Sequence, residues 1–482
     1  MSRLGRGLDA LAAAVLAATV AASLAHPIFY WDSWAYHLPF SALLLDIGGA
    51  RSHFLLSEEM RLRYEGFPLL AEFVQGLLWK ATGTINATAL INSAVFAVFA
   101  VAAARALKAS FAILVLGGLA FPLVLLHALS GYIDLFVGAC VAFQAVAAVR
   151  MEAAMRRGDG RPVLWGAIFV ASAALAGNSK ITGLVLSVAI AAFTAAYVLV
   201  AQRARARPVL AAVAIAVLLA GASAFENVQV HGNPVYPFRT AVLGVELAGP
   251  EPEYRSYPAY TAELGPIARP VNWLLSITEI DWAIRGISPG YTLDSNTGDG
   301  PPEENPRTGG LWPPLVVAGV ALAALLAGRM RRRDAEEFHE RRFLLWLFVF
   351  VTLVTAFMPQ SHELRYSLHW PLMLMLVVAA LARSTLGPRG PAALAAACFA
   401  ALLVTQHRTD YPLRPWPVIT QSDSVSGQAD SASVDAVRAR APVCLGPDFN
   451  PRQIAYSAVF QGGDYVVEQG WSKCERYPAY RP

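Results

Sequence analysis

Long apolar runs separated by polar stretches set the pattern of this chain, and eleven of the runs approach membrane-crossing length. A helix needs roughly 20 residues to cross a hydrocarbon core of about 30 Å. The runs cover residues 8–29, 86–104, 109–128, 132–150, 162–178, 181–201, 208–227, 311–328, 343–358, 368–383 and 390–405. Backbone polar groups inside a bilayer must pair within their own segment, so such runs are read as helices. The expected fold class is an all-α polytopic membrane protein with about 11 transmembrane helices. A twelfth apolar stretch, Phe67–Trp79, is too short to span and suits a helix lying at the membrane surface.

Composition agrees with that solvent. Over 482 residues, 56% are hydrophobic and only 15% charged, with mean hydropathy +0.46, which excludes an ordinary soluble domain. Basic clusters fall at alternate ends of the runs: Arg3 and Arg6; Arg105 and Lys108; Arg150 to Arg161; Arg203 to Arg207; Arg329 to Arg342; Arg383 and Arg389. By the positive-inside rule these ends are cytoplasmic, with the amino terminus inside and the carboxyl terminus outside. The inner side then carries 19 basic and 7 acidic residues, and the outer side 19 basic and 27 acidic. The pI near 8.9 thus reports topology, and no nucleic-acid partner is expected. The first residues also resemble a signal peptide, with a basic head and a small-x-small end at Ser23 and Ala25. Cleavage there would leave the next segment outside all the same.

This topology divides the chain into a membrane module, 1–405, and an outer tail, 406–482. The module carries two large outer loops, 30–86 and 228–310. Within the second loop, VNWLLSITEIDWAIRGI reads as a surface helix with Trp273 and Trp282 at headgroup level. Cys140 and Cys398 fall in spans as packing residues, whereas Cys444 and Cys474 share the outer tail and can pair there. No CxxC, no GxGxxG after a strand and no GxxxxGK[ST] occurs, so metal, redox and nucleotide chemistry lack motifs.

Unusual polar residues gather on the outer side. FYWDSWAYHLPF brings Asp32, Tyr36 and His37 just past the first span. SEEMRLRYEG brings Glu58 and Glu59, HALSGYIDLF His127 and Asp134, AGNSKITG Asn178 and Lys180, and HELRYSLHW Glu363, Arg365 and Tyr366. Ionisable groups at membrane depth are costly and tend to face a cavity or a partner, so a cluster from several segments marks a site. Carboxylates can take a proton from a hydroxyl, and Lys and Arg can bind a phosphate. The combination suits group transfer from a lipid-borne phosphate.

The motifs YWDSWAYHLPF, EGFPLLAEFVQGLLWKATG, GYID, NSKITG, HGNPVYPF and ELRYSLHWP, in that order, resemble the GT-C superfamily of polyprenyl-phosphate-sugar-dependent glycosyltransferases. Protein O-mannosyltransferases and lipid A aminoarabinose transferases belong to it. The similarity extends from Leu8 to about Arg383. It implies a helical membrane module with amphipathic helices in the first outer loop, and inverting transfer of a sugar from a polyprenyl-phosphate monosaccharide. In that reading Asp32 is the catalytic base, and Arg365 and Lys180 hold the donor phosphate. Tyr36, His37, Glu58, Glu59, Asp134, Glu363 and Tyr366 contact substrate. No cofactor is certain; some members use a divalent cation, Mg²⁺ or Mn²⁺, for which Asp32 and Glu58, with Glu59, are the available carboxylates. At one point the chain departs from the pattern: protein O-mannosyltransferases have an adjacent Asp-Glu pair, and here Ser33 follows Asp32. The acceptor, whether lipid, glycan or protein, stays open.

Structural alternatives stand beside these roles. Asp32 can cap a helix beginning near Ser33; His37 can be a packed ring; Asp134 and Lys180 can lock two spans together; Glu363 can orient Arg365; Tyr366 can belong to an interfacial belt. A lipid-linked oligosaccharide ligase or polymerase would share the outer loops and the lipid-borne sugar. A lipid or sugar transporter or flippase would show broken helices in two matching halves, which the sequence lacks. The Ala- and Arg-rich composition fits a GC-rich bacterial gene, hence a multi-pass bacterial plasma (inner) membrane protein with its site on the extracytoplasmic side.

Overall fold

The computed structural model describes residues 3–27, 29, 32–158, 162–202, 206–242, 245–251, 261, 263–278, 311–330, 335–387, 389–408, 435, 454–455, 457–461 and 467–468. Among these, helices dominate, with two short two-stranded pairings. Among the described residues five helices are long and apolar enough to cross a membrane: Arg3–Ala25, Ile85–Ala106, Asp134–Arg157, Ile181–Ala201 and Leu364–Thr385. A sixth crossing forms if Arg207–Ala220 and Ala222–His231, bent by 48° to each other, act as one.

Five of the eleven expected runs take other forms. Residues 162–178, 311–328 and 390–405 are apolar helices of less than full spanning length: Pro162–Gly177, Pro313–Gly328 and Gly390–Gln406. Residues 343–358 lie within Ala335–Phe357, whose first two turns carry Glu336, Glu337, Glu340, Arg341 and Arg342. Residues 109–128 break outright. A π-helical stretch, Ile113–Gly117, leads to Phe121, which is extended because Pro122 follows it, and a new short helix, Pro122–Ala128, begins there. The Ala120 carbonyl freed at this break accepts a hydrogen bond from Thr405 Oγ1 at 2.8 Å. The segment is buried in protein, where such a break is tolerated.

Helix Asp134–Arg157 is the axis of the bundle. It packs against Ile85–Ala106, Pro162–Gly177, Ile181–Gln202 and His369–Thr385. Its last turns run past the expected loop start and are clamped by helix Ala335–Phe357, with Arg150 3.2 Å and Arg157 2.6 Å from Glu340 and Glu336 respectively. Gly138 admits the backbone of His369: a Cβ there would stand 2.8 Å from the His369 nitrogen. The first turns of two central helices, Asp134–Arg157 and His369–Thr385, are thereby drawn together.

The stretch expected at the surface, Phe67–Trp79, forms helix Leu70–Thr82. It buries Glu72, Gln75 and Trp79 on one face and exposes Phe73 and Leu77 on the other. A second apolar cluster lies beside it, built from Trp34, Leu38, Phe54 and Trp79 together with Ile454 and Ala455 of the tail. Phe460 stacks on Trp79 with centroids 5.5 Å apart, and Phe54–Leu55 pairs in parallel with Val467–Glu468. The described part of the tail therefore packs against residues 34–79. Trp273, expected at an exposed headgroup position, is instead buried in protein, edge-on to Trp370 at 5.5 Å. Trp282, Cys444 and Cys474 lie outside the described residues.

Candidate functional site

After helix Arg3–Ala25 the chain turns, and Asp32 opens a five-residue π-helical turn, Ser33–His37, that runs into helix Leu38–Leu45. Single π turns wind wider than an α-helix and recur at functional sites. Hydrogen bonding from residue i to i+5 returns His37 to the side of Asp32. The Tyr36 hydroxyl hydrogen-bonds the Asp32 carboxylate. Asp32 makes no capping bond to the helix it precedes, so the capping alternative falls.

The Asp32 carboxylate instead meets Arg365 in an ion pair whose side chains are 13% and 9% exposed. Arg365 leaves a one-turn 3₁₀ segment, Leu364–Ser367, and its other donors are shared. Nη2 donates to the Tyr366 hydroxyl at 3.1 Å, and Nε lies 3.4 Å from Glu363. The guanidinium stands 4.9 Å from the Tyr366 ring and 5.8 Å from that of Tyr132.

A second pair joins Asp134, the first residue of its helix, to Lys180. A carboxylate there also complements the positive end of the helix dipole. Lys180 Nζ sits 4.0 Å over the Tyr366 ring, so one aromatic ring touches the cations of both pairs. His127 Nδ1 is 3.8 Å from Asp134.

Loop hydrogen bonds hold these groups. Gln75 Nε2 donates to the Gly131 carbonyl at 2.8 Å and Asn92 Nδ2 to Ser130 at 3.0 Å, which fixes the turn carrying Tyr132. Gly131 itself must lack a Cβ, which would stand 2.7 Å from Phe29. Asn178 anchors the Lys180 turn, accepting from Ser223 N and Oγ at 3.0 and 2.9 Å and donating to Leu219 at 2.7 Å. In HGNPVYPF, Asn233 bonds the carbonyls of Phe238 and Ala248, and His231 stacks on Tyr236 at 3.7 Å. That motif serves the loop.

Electrostatics follow the geometry. Burial pushes the Asp32 carboxyl up, but Arg365, with His37 and Tyr36, outweighs it and holds the group at about 2. Burial and the Asp32 charge push the Tyr36 phenol well above its ordinary value.

Of the residues singled out in the sequence, Asp32, Tyr36, His37, Asp134, Lys180, Glu363, Arg365 and Tyr366 come together. Glu59 is committed to Arg63, which also pairs with Glu251 at 3.1 Å, and Glu58 lies on the first turn of the same helix. Among the described residues no three His, Cys, Asp or Glu side chains are arranged to hold a metal ion.

Two residues gain importance from the structure. Tyr132 stands between the rings of His37 and His127, at 6.1 and 5.2 Å. Glu72 Oε1 is 2.7 Å from His37 Nδ1, with both side chains buried. The signal for Glu72 was present: Glu72 and Gln75, three apart, share one face of an otherwise apolar helix. No protein-family model, curated protein or solved structure matches this chain.

Proposed function

We propose that the chain is a GT-C-type glycosyltransferase with about eleven membrane segments, the shorter and broken helices included, in a bacterial plasma membrane. The amino terminus is cytoplasmic and the site faces outward. The donor is a polyprenyl-phosphate monosaccharide, and the acceptor presents a hydroxyl or amine. The observation that carries this reading is the double ion pair: Asp32 with Arg365 and Asp134 with Lys180, joined through Tyr366 at one end of the bundle. It brings a carboxylate base and two phosphate-binding cations into one site.

The pairs are self-neutralising at rest, so a donor phosphate gains a cation by exchange. When Arg365 turns from Asp32 to the phosphate, Asp32 is left buried without its counter-ion, and burial raises its proton affinity. Donor binding and activation of the base are then one event. Asp32 draws the proton from the acceptor, the acceptor attacks the anomeric carbon from the side opposite the phosphate, and the bond to the phosphate oxygen breaks with inversion. Arg365 and Lys180 stabilise the charge that develops on the leaving phosphate. Tyr366 keeps both cations aligned.

The test is turnover of a panel of polyprenyl-phosphate monosaccharides by purified protein, with Asp32→Asn alongside. Wild type should release polyprenyl phosphate, and Asp32→Asn should stay folded and lose transfer. Full activity in Asp32→Asn removes Asp32 from the chemistry, and no turnover of any donor by wild type rejects the reading.

A further inference from the structure

His37 is bound at one ring nitrogen and open at the other. Nδ1 is held by Glu72 Oε1 at 2.7 Å, while Nε2 is buried and has no hydrogen-bond partner among the described protein atoms. A ring fixed by a carboxylate at one nitrogen, with the other nitrogen free, is the arrangement of an oriented proton acceptor. A buried carboxylate and an unpaired buried ring nitrogen each cost free energy.

We propose that His37, held by Glu72, is the second proton-transfer group of this site and takes from Asp32 the proton that Asp32 removes from the acceptor. This rests on the transferase reading and adds to it the group that resets the base. The acceptor O–H (or N–H) bond breaks and its proton goes to Asp32. The acceptor's electron pair forms the new bond to the anomeric carbon, and the phosphate leaves with the pair of the broken C–O bond. The proton then moves from Asp32 to His37 Nε2, and Asp32 returns to Arg365 as a carboxylate.

Geometry supports each part. The π turn brings residues 32 and 37 to one side of the chain, and the His37 side chain is buried there. The groups around the imidazole are Tyr36 on its own turn, which Asp32 opens, Glu72 on helix Leu70–Thr82, and Tyr132 ahead of helix Asp134–Arg157, with His127 next to the Tyr132 ring. Glu72 is the group placed to stabilise the imidazolium.

The experiment uses the full-length purified protein and whichever donor of the panel wild type turns over. His37→Asn keeps an amide nitrogen for Glu72 but offers no proton acceptor. Its kcat should fall by about tenfold or more, with the donor KM within about threefold and the acidic limb of the pH profile displaced. Wild-type kcat with an unmoved limb overturns the proposal. Glu72→Gln changes charge with little change of shape, and should move the acidic limb to lower pH; an unmoved limb counts against it. Should wild type be inert toward every donor, the transferase reading fails and the dyad is read separately. The ¹⁵N-histidine spectrum of wild type minus that of His37→Asn isolates the His37 titration. That titration should move to lower pH in both Glu72→Gln and Asp32→Asn, and a titration indifferent to both substitutions overturns the proposal.

Discussion

Arg365→Gln removes the cation that faces Asp32 and leaves a carboxylate buried against Tyr36 and His37. The structure bounds the cost. Asp32 sits at about 2 rather than 3.8. At 1.36 kcal/mol per unit, that favours the ionised form by about 2–3 kcal/mol. Breaking a buried pair by truncating one partner typically costs about 3–5 kcal/mol. A loss of about 2–5 kcal/mol is expected at neutral pH. The sign with pH is set by Asp32. In wild type its depressed value means the pair's contribution is present above the ordinary carboxylate value and is lost only as pH falls toward about 2. In Arg365→Gln burial is opposed only by His37 and Tyr36 and raises Asp32, so acidification should relieve the deficit by protonating it. Thermal unfolding in detergent, followed with a thiol-reactive dye that reads buried Cys140, measures this. Arg61→Gln is the control, because Arg61–Glu65 is an exposed pair at 2.9 Å and should cost under about 1 kcal/mol. Asp32→Asn in the Arg365→Gln background should recover stability, with a coupling energy of about 2 kcal/mol or more. Equal shifts for Arg365→Gln and Arg61→Gln, or a coupling below about 0.5 kcal/mol, would refute the reasoning.

Lys180→Met strands Asp134 in the same way, so it should cost about 3 kcal/mol, and Asp134→Asn added to it should restore most of the loss in the same unfolding assay. Tyr36→Phe tests the alkaline side: because the phenol is raised in the fold, stability is full below its ordinary value and falls above about pH 10. The variant should lose that alkaline decline while costing about 1 kcal/mol at neutrality for the hydrogen bond to Asp32. Phe460→Ala deletes the ring between Trp34 and Trp79, costing about 3 kcal/mol locally, and should speed proteolysis within the first outer loop.

Where the sequence was read correctly, the physics was local. An apolar run and its flanking arginines report the solvent of each segment without reference to any other, which is why Arg3–Ala25, Ile85–Ala106 and Ile181–Ala201 lie close to where hydropathy puts them. Locality also explains where that reading overcounts. Pro122 and Gly221 break apolar runs, and residues 343–358 belong to a helix whose first turns are charged. Hydropathy averages over such breaks. The gathering of Asp32, Asp134, Lys180 and Arg365 was legible as residue types at span ends, because charges at membrane depth need a reason to be there.

Which charge meets which was beyond the sequence. Asp32 lies 333 positions from Arg365 along the chain. Their meeting depends on Gly131, Gly138 and Asn178 drawing three turns together, and no periodicity encodes that. The π turn that returns His37 to Asp32, and the burial of Glu72 against it, arise from helix Leu70–Thr82 docking on Leu38–Leu45. Glu59 had the right chemistry and was taken by Arg63 because both share one helix face four residues apart. The sequence by itself determined that this chain is a helical membrane protein with its unusual polar groups at span ends, since burial and charge act residue by residue. Only the tertiary structure decided which of them form pairs, because an ion pair needs two side chains within a few ångströms and helix packing alone sets that distance.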